Sequence, residues 1–128
     1  KAYKVAFSWT KMTMKRTLFH SKIQPLTVTD ANLHYEGSIT LDLDLLEKAG
    51  IVPYERVQVL NINNGHRLET YTIPGERGSG ICCLNGAAAR LTQIGDKVIV
   101  IAYGLFDEED IANHTPNVTL VDDQNKPK

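Results

Sequence analysis

The sequence predicts a mainly β fold, a compact β-barrel of short strands with a few short helices. Three observations lead there. Short runs rich in β-branched and aromatic residues recur along the chain. Gly, Asn, Asp and Pro punctuate them, as turns require. The longest apolar run, Val98–Tyr103, has the length of a strand and falls far short of the ~20 residues a membrane-spanning helix needs.

Leu26-Thr27-Val28 is the first strand signal, and Ser38-Ile39-Thr40-Leu41 alternates polar and apolar side chains. Asp42 suits the N-cap of a short helix over Leu43–Ala49, because its carboxylate can accept from free backbone N–H groups. Gly50 suits the left-handed position just beyond that helix. Val57–Ile62 and Arg67–Ile73 flank Asn64-Gly65. That predicts a hairpin with a type I′ turn, which needs positive φ at both central residues. Pro74–Gly80 reads as a loop and Ile81–Leu84 as a short strand. Asn85-Gly86 then turns the chain into a helical turn over Ala87–Leu91. Gly95-Asp96 precedes Lys97–Tyr103, the most hydrophobic strand and the expected centre of the sheet. Asp107 can cap a short acidic helix to Asn113, and Pro116 opens a last strand, Asn117–Val121. From Asp122 the chain is polar, and a frayed tail is expected over 122–128.

At 128 residues the chain has the size of one domain, with no repeats and no low-complexity tract. The domain is expected over 14–121. Residues 1–13 contain no acidic residue and do not begin with methionine, and Met14 reads as a natural start. They are taken as a non-native or extended N-terminal segment and set aside. A net charge of −1 argues against a general nucleic-acid binder, which would carry a basic excess. Cys82 and Cys83 are adjacent. Neighbouring Cα atoms lie ~3.8 Å apart, below the usual disulfide range, so both read as reduced thiols of a cytoplasmic protein. His20, His34, His66 and His114 show no metal-ligand spacing.

Several constellations could carry chemistry. Strand alternation puts Arg67, Glu69 and Tyr71 on one face and turns Thr70 to the other, unless the strand bends. Arg67 is either a solvated charge or an anion-binding guanidinium; Tyr71 is either a core aromatic or a proton-donating phenol. Asn85-Gly86-Ala87-Ala88-Ala89 lets a ligand approach the backbone closely, and its free N–H groups could receive a carboxylate. A tight turn entering a helix explains the same residues. Gly75–Gly80 is glycine-rich but lacks the Gly-Lys-Ser/Thr ending of a phosphate loop.

The dipeptide Gly37-Ser38 is ordinarily a turn. It also permits self-cleavage. The serine hydroxyl can attack the carbonyl carbon of the glycine, whose missing Cβ allows close approach and unusual backbone angles. The peptide becomes an ester. β-Elimination then leaves dehydroalanine at position 38, and hydrolysis with loss of ammonia leaves a pyruvoyl ketone.

Taken in order, His34-Tyr35-Glu36-Gly37-Ser38, Asn63-Asn64-Gly65 with Arg67 and Thr70-Tyr71, Glu76-Arg77-Gly78, and Asn85-Gly86-Ala87-Ala88-Ala89 resemble the bacterial pyruvoyl-dependent aspartate 1-decarboxylases. The resemblance runs from about Met14 to about Val121. It implies a double-psi β-barrel and decarboxylation of L-aspartate to β-alanine for pantothenate and coenzyme A synthesis. It implies a cytoplasmic homotetramer of self-cleaved protomers, each an α and a β fragment, with the site completed by a neighbouring subunit. It leaves open a maturation factor. The cofactor implied is the pyruvoyl group itself, with no metal and no pyridoxal phosphate; no nucleic acid and no membrane are implied as partners.

Residue by residue, the resemblance makes Ser38 the pyruvoyl precursor and Gly37 the end of the β fragment. Thr70 matches the threonine that polarises the scissile carbonyl and later contacts substrate, and Tyr71 matches the proton donor. Lys22 and Arg67 match residues that hold the substrate carboxylates. Gly86, Ala87 and Ala88 match the substrate-binding backbone, with Asn85 beside it, and Tyr35 matches a tyrosine near the cut. A Schiff base to the ketone would accept the electrons left when carbon dioxide departs. Arg67 is expected on the side-chain carboxylate, because pairing the leaving carboxylate would stabilise the ground state. Where many members carry His-Arg after the lysine region, this chain has Gln24-Pro25, and Leu60 stands where some have tryptophan. The alternatives are a non-catalytic barrel binding module and a pyruvoyl decarboxylase of another amino acid.

Overall fold

A computed structural model describes residues 14–128. The proposed N-terminal segment, 1–13, lies outside the described residues. The fold is mainly β. Its strands are β1 (Arg16–Thr27), β2 (Asp30–Asn32), β3 (Ser38–Asp42), β4 (Arg56–Asn61), β5 (Arg67–Gly75), β6 (Cys82–Asn85), β7 (Lys97–Phe106) and β8 (Asn117–Leu120). The helices are α1 (Leu43–Ala49) and α2 (Glu108–Ile111), with a 3-10 helix over Gly86–Leu91. Hydrogen bonding orders the strands β2-β6-β3-β5-β4-β7-β1-β8.

Alternation decides which faces are buried. Val98, Val100 and Ala102 of β7 point inward, as do Val57 and Val59 of β4. They meet Ile23, Leu26, Ile39, Leu41, Leu84 and the α1 residues Leu45 and Leu46 in one core. Each such side chain contributes roughly 1.5–3 kcal/mol by leaving water. β7 is central, flanked by β4 and β1.

Asp42 ends β3 and caps α1, as its position suggested. Its buried carboxylate accepts from Asp44 N at 2.8 Å, Gly78 N at 3.0 Å and Gly80 N at 2.9 Å. Burial pushes its pKa up, but the backbone donors, Gly80 foremost, and the charge of Lys126 together hold it below the ordinary 3.8. Gly50 takes the left-handed conformation expected after the helix, at φ 74°.

Several local expectations are corrected. The hairpin is present, but its turn is not type I′. Gly65 alone has positive φ in the 62–65 loop, and its N–H donates to Asn61 O at 2.8 Å to close a longer turn. Asn61, inward-facing in line with Val57 and Val59, explains the change. Its Oδ1 accepts from Asn63 N, drawing the loop back over the strand end. β5 continues through Pro74-Gly75, and no Cβ would fit at Gly75, 2.4 Å from the Ile81 side chain. β1 begins at Arg16, ten residues before the sequence signal, and β2 was not foreseen at all.

The frayed tail is not found. Asn125 is fully buried and left-handed, with φ 62°. Its amide accepts from Thr27 N and donates to Thr27 O and Gly80 O, while Val121 bridges to Pro127. One buried side chain satisfying three backbone groups orders a segment whose composition looks solvated.

Replacing Asp42 by Ala strands three backbone donors, one of them the capped N–H of α1; we expect a loss of about 3 kcal/mol in urea unfolding. Because the folded pKa is depressed, the Asp42 contribution is whole above pH 3.8 and is lost as pH falls through the lower folded value. Asp42→Asn should flatten the stability profile across that acid window.

Candidate active site

The site arises where β3 begins. β5 pairs antiparallel with β4 over Arg67–Tyr71 and parallel with β3 only from Thr72, opposite Ile39. Its edge over Leu68–Tyr71 therefore has no β3 partner. On the other side of β3, β6 pairs up to Asn85 opposite Ser38 and then turns into the 3-10 helix. The gap between the β5 edge and this helix is a cleft of about 360 Å³, lined by Gly37, Leu68, Glu69, Thr70, Tyr71, Ala87, Ala88 and Leu91.

Five of the residues expected from the sequence thus share one cavity: Gly37, Thr70, Tyr71, Ala87 and Ala88. Thr70 and Tyr71 both reach it although they are adjacent, because the strand changes partner just after them. Ser38 is buried behind Gly37. Its hydroxyl donates to Glu36 O and accepts from Asn85 Nδ2, both at 3.0 Å. Asn85, also buried, donates to Thr40 Oγ1 at 3.0 Å and accepts from Cys83 Sγ at 3.3 Å. Burial and the charge of Asp30 push the Cys83 thiol up, so it stays protonated and can donate; Cys82, wholly buried and beside Cys83, is pushed up to about 12.

The demand for glycine falls differently from the sequence argument. Gly37 does not take positive φ, and a Cβ there would lie 4.0 Å from the nearest atom, Asn85 O. Gly86 is the constrained one. It has φ 66°, and a Cβ would come within 2.7 Å of the Gly37 backbone and 2.9 Å of Tyr35 O. The backbone at Tyr35 and Gly37 and the Asn85-Gly86 turn are thus packed backbone to backbone.

Arg67 and Lys22 are not among the cleft-lining residues. Arg67 is exposed at the head of β5, three residues before Thr70. Lys22 sits on β1, separated from β5 by β4 and β7, with its Nζ 5.3 Å from the centre of the Phe19 ring. Leu68 and Leu91 are cleft residues the sequence reading passed over, and Glu69 joins them with its carboxylate on Arg56. Asn61 was read as a strand residue and Asn64 as a turn residue, neither with a part in the site. Their amides both donate to Leu91 O, at 3.1 and 3.0 Å, and so tie the hairpin to the far wall. A third asparagine at an inward strand position was the signal for this.

Among the described residues, no three His, Cys, Asp or Glu side chains converge as metal ligands, and no helix is long and apolar enough to cross a membrane. Fold and site together define a small β protein with a buried serine, held by an amide donor, behind an open cleft.

Comparison narrows that class. The family described as aspartate decarboxylase matches residues 14–128. The aspartate 1-decarboxylase of Carboxydothermus hydrogenoformans is 63% identical over 110 residues, 86% of this chain and 87% of the relative. That of Thermoanaerobacter pseudethanolicus is 58% identical over 114 residues, covering 89% and 97%. That of Bacillus subtilis is 57% identical over 113 residues, covering 88% and 89%. The chain belongs to the aspartate decarboxylase family.

Gly86→Ala tests the packing at the heart of the site. Left-handed backbone and backbone contact together should cost roughly 2–4 kcal/mol in thermal or urea unfolding. Gly37→Ala, with open space at its Cβ, should cost far less.

Proposed function

We propose that this chain decarboxylates L-aspartate to β-alanine and carbon dioxide, using a pyruvoyl group that it makes from Ser38 by cutting the Gly37–Ser38 bond. One observation carries the reading: within a chain of this family, Gly37, Thr70 and Tyr71 line a single cleft directly in front of Ser38. Asn85 Nδ2 donates to the side-chain oxygen of Ser38, the atom that attacks Gly37 in the cut and leaves with its carboxylate. When present, the pyruvoyl group supplies an electron sink for the carbon–carbon bond that breaks.

The chain's own residues bind, orient and move the proton. Tyr71, half-buried in the cleft, is the general acid that returns a proton to the product carbon. Thr70 polarises the Gly37 carbonyl during the cut and contacts substrate afterwards. Arg67 takes the side-chain carboxylate, for which a guanidinium gives a bidentate match. The leaving carboxylate faces Leu68, Ala87, Ala88 and Leu91. Apolar walls disfavour its charge and favour its departure as neutral carbon dioxide. Asn85 and the Gly86–Ala88 backbone complete the substrate contacts.

Lys22 reaches a cleft only from a second copy, consistent with a homotetramer of cut protomers. Tyr54 and Leu105, 73% and 71% exposed, are apolar surface such an assembly would cover. The enzyme works in the cytoplasm and supplies pantothenate and coenzyme A synthesis. A maturation factor remains compatible with the exposed segment 32–37.

Intact mass under denaturing conditions tests the cut. Fragments meeting between Gly37 and Ser38, the second bearing a pyruvoyl mass, are expected, together with β-alanine from aspartate and little product from glutamate. A chain that stays whole and inactive after long incubation overturns the reading. Ser38→Ala should abolish both cleavage and turnover. Tyr71→Phe should cleave yet lose roughly 100-fold or more in kcat; unchanged turnover removes Tyr71 from the donor role.

A further inference from the structure

The register of β3 against β6 pairs Ser38 with Asn85 and Thr40 with Cys83. Positions two apart on a strand share a face, so four polar side chains meet on one patch of this ladder. Their hydrogen bonds agree on one orientation of the Asn85 amide, the Cys83 thiol lying 3.3 Å from the amide oxygen and 3.9 Å from its other acceptor, Leu84 O. Ser38 has a single hydroxyl proton, and it goes to Glu36 O, a group that can only accept. Ser38 Oγ must therefore accept from Asn85, and the amide atom facing it is nitrogen. The second proton of that nitrogen goes to Thr40 Oγ1. The amide oxygen, turned the other way, takes the thiol proton of Cys83.

The orientation matters for the cut. First, Oγ bonds to the Gly37 carbonyl carbon, the carbon–nitrogen bond breaks, and the hydroxyl proton passes to nitrogen. Next, the Cα proton of residue 38 is lost and the Cβ–Oγ bond breaks, its electron pair leaving on Oγ within the Gly37 carboxylate. Water then displaces the amine as ammonia. In the second step Oγ gains negative charge, and a donor already aimed at it stabilises that charge. With the amide reversed, an oxygen would face the departing carboxylate instead.

We propose that Thr40 and Cys83 are positioning residues for self-cleavage, holding the Asn85 carboxamide with its nitrogen toward Ser38. The inference rests on the self-cleaving reading above. It assigns a task to both residues although neither lines the cleft.

The test is a time course of cleavage by intact mass, alongside thermal unfolding of each protein. Cys83→Ala and Thr40→Val should each slow cleavage roughly tenfold, as expected for one lost buried hydrogen bond. Cys83→Ser and Thr40→Ser restore the donor and the acceptor and should return the rate to within about threefold of the parent. A merely structural role would follow the unfolding temperature rather than the presence of a hydrogen-bonding group. Parent-like cleavage in Cys83→Ala and Thr40→Val overturns the proposal. If either fails to fold, the serine variants decide: parent-like rates support it, and rates slowed more than about tenfold overturn it. An uncut parent chain refutes the self-cleaving reading itself, an outcome distinct from a parent that cuts and variants that cut equally well.

Discussion

The structure depends on the double pairing of one five-residue strand. β3 runs parallel to β5 on one side and antiparallel to β6 on the other, with Ile39 and Leu41 buried in the core. Both its ends are buried polar residues, Ser38 and Asp42. A buried polar group left without partners costs more than a satisfied one gains, so each end is fixed by the groups it must meet. Asp42 meets three backbone N–H groups from α1 and the 78–80 loop. Ser38 meets Glu36 O and Asn85. The cleft follows from where the strand starts, since β5 and the chain after β6 both extend past that point.

The pairing of β3 does not depend on the residues before its head. The pairing of β3 begins at Ser38 with β6 and at Ile39 with β5, and residues 32–37 are exposed. Losing the peptide bond before Ser38 leaves the ladders, the core contacts and the Asp42 anchor in place. The cleft walls are held separately. Asn61 and Asn64 bind Leu91 O, Asn61 also reaches Asp96 at 2.8 Å, and Asn63 Oδ1 accepts from Lys97 N. The hairpin and the 3-10 helix thus keep their spacing through side-chain amides rather than through the segment that would be cut.

What was legible in the sequence was local. The Asp42 cap, Gly50, the β4–β5 hairpin and the turn at Gly86 are each fixed by neighbours a few residues away. The candidate residues on β5 and in the Asn85–Ala88 stretch were picked out because their types and order resemble a family, and the cleft brings Thr70, Tyr71, Ala87 and Ala88 together. What was not legible depended on partners far along the chain. Composition could not show that Asn125 satisfies Thr27 and Gly80, or that Asn61 would bind Leu91. β2 has only three residues, Asp30–Asn32, and exists by pairing with β6. Arg67 and Lys22 could be matched by type but not placed, since one lies at the head of β5 and the other three strands away.

The long-range contacts bear on the site through the loop between β5 and β6. That loop is held from one side by Asp42, through Gly78 N and Gly80 N. From the other side the C-terminal segment holds it, through Asn125 to Gly80 O and Lys126 Nζ to Gly78 O. A Cβ on Gly80 would stand 2.5 Å from Gln124 O, so loop and tail are in backbone contact. β6 leaves this loop two residues later and is only four residues long, with Asn85 at its end. Only this short strand separates the held loop from the amide that faces Ser38. The last residues of the chain thus help hold the loop from which β6 starts, though they lie far from it in sequence and are not among the residues that line the cleft.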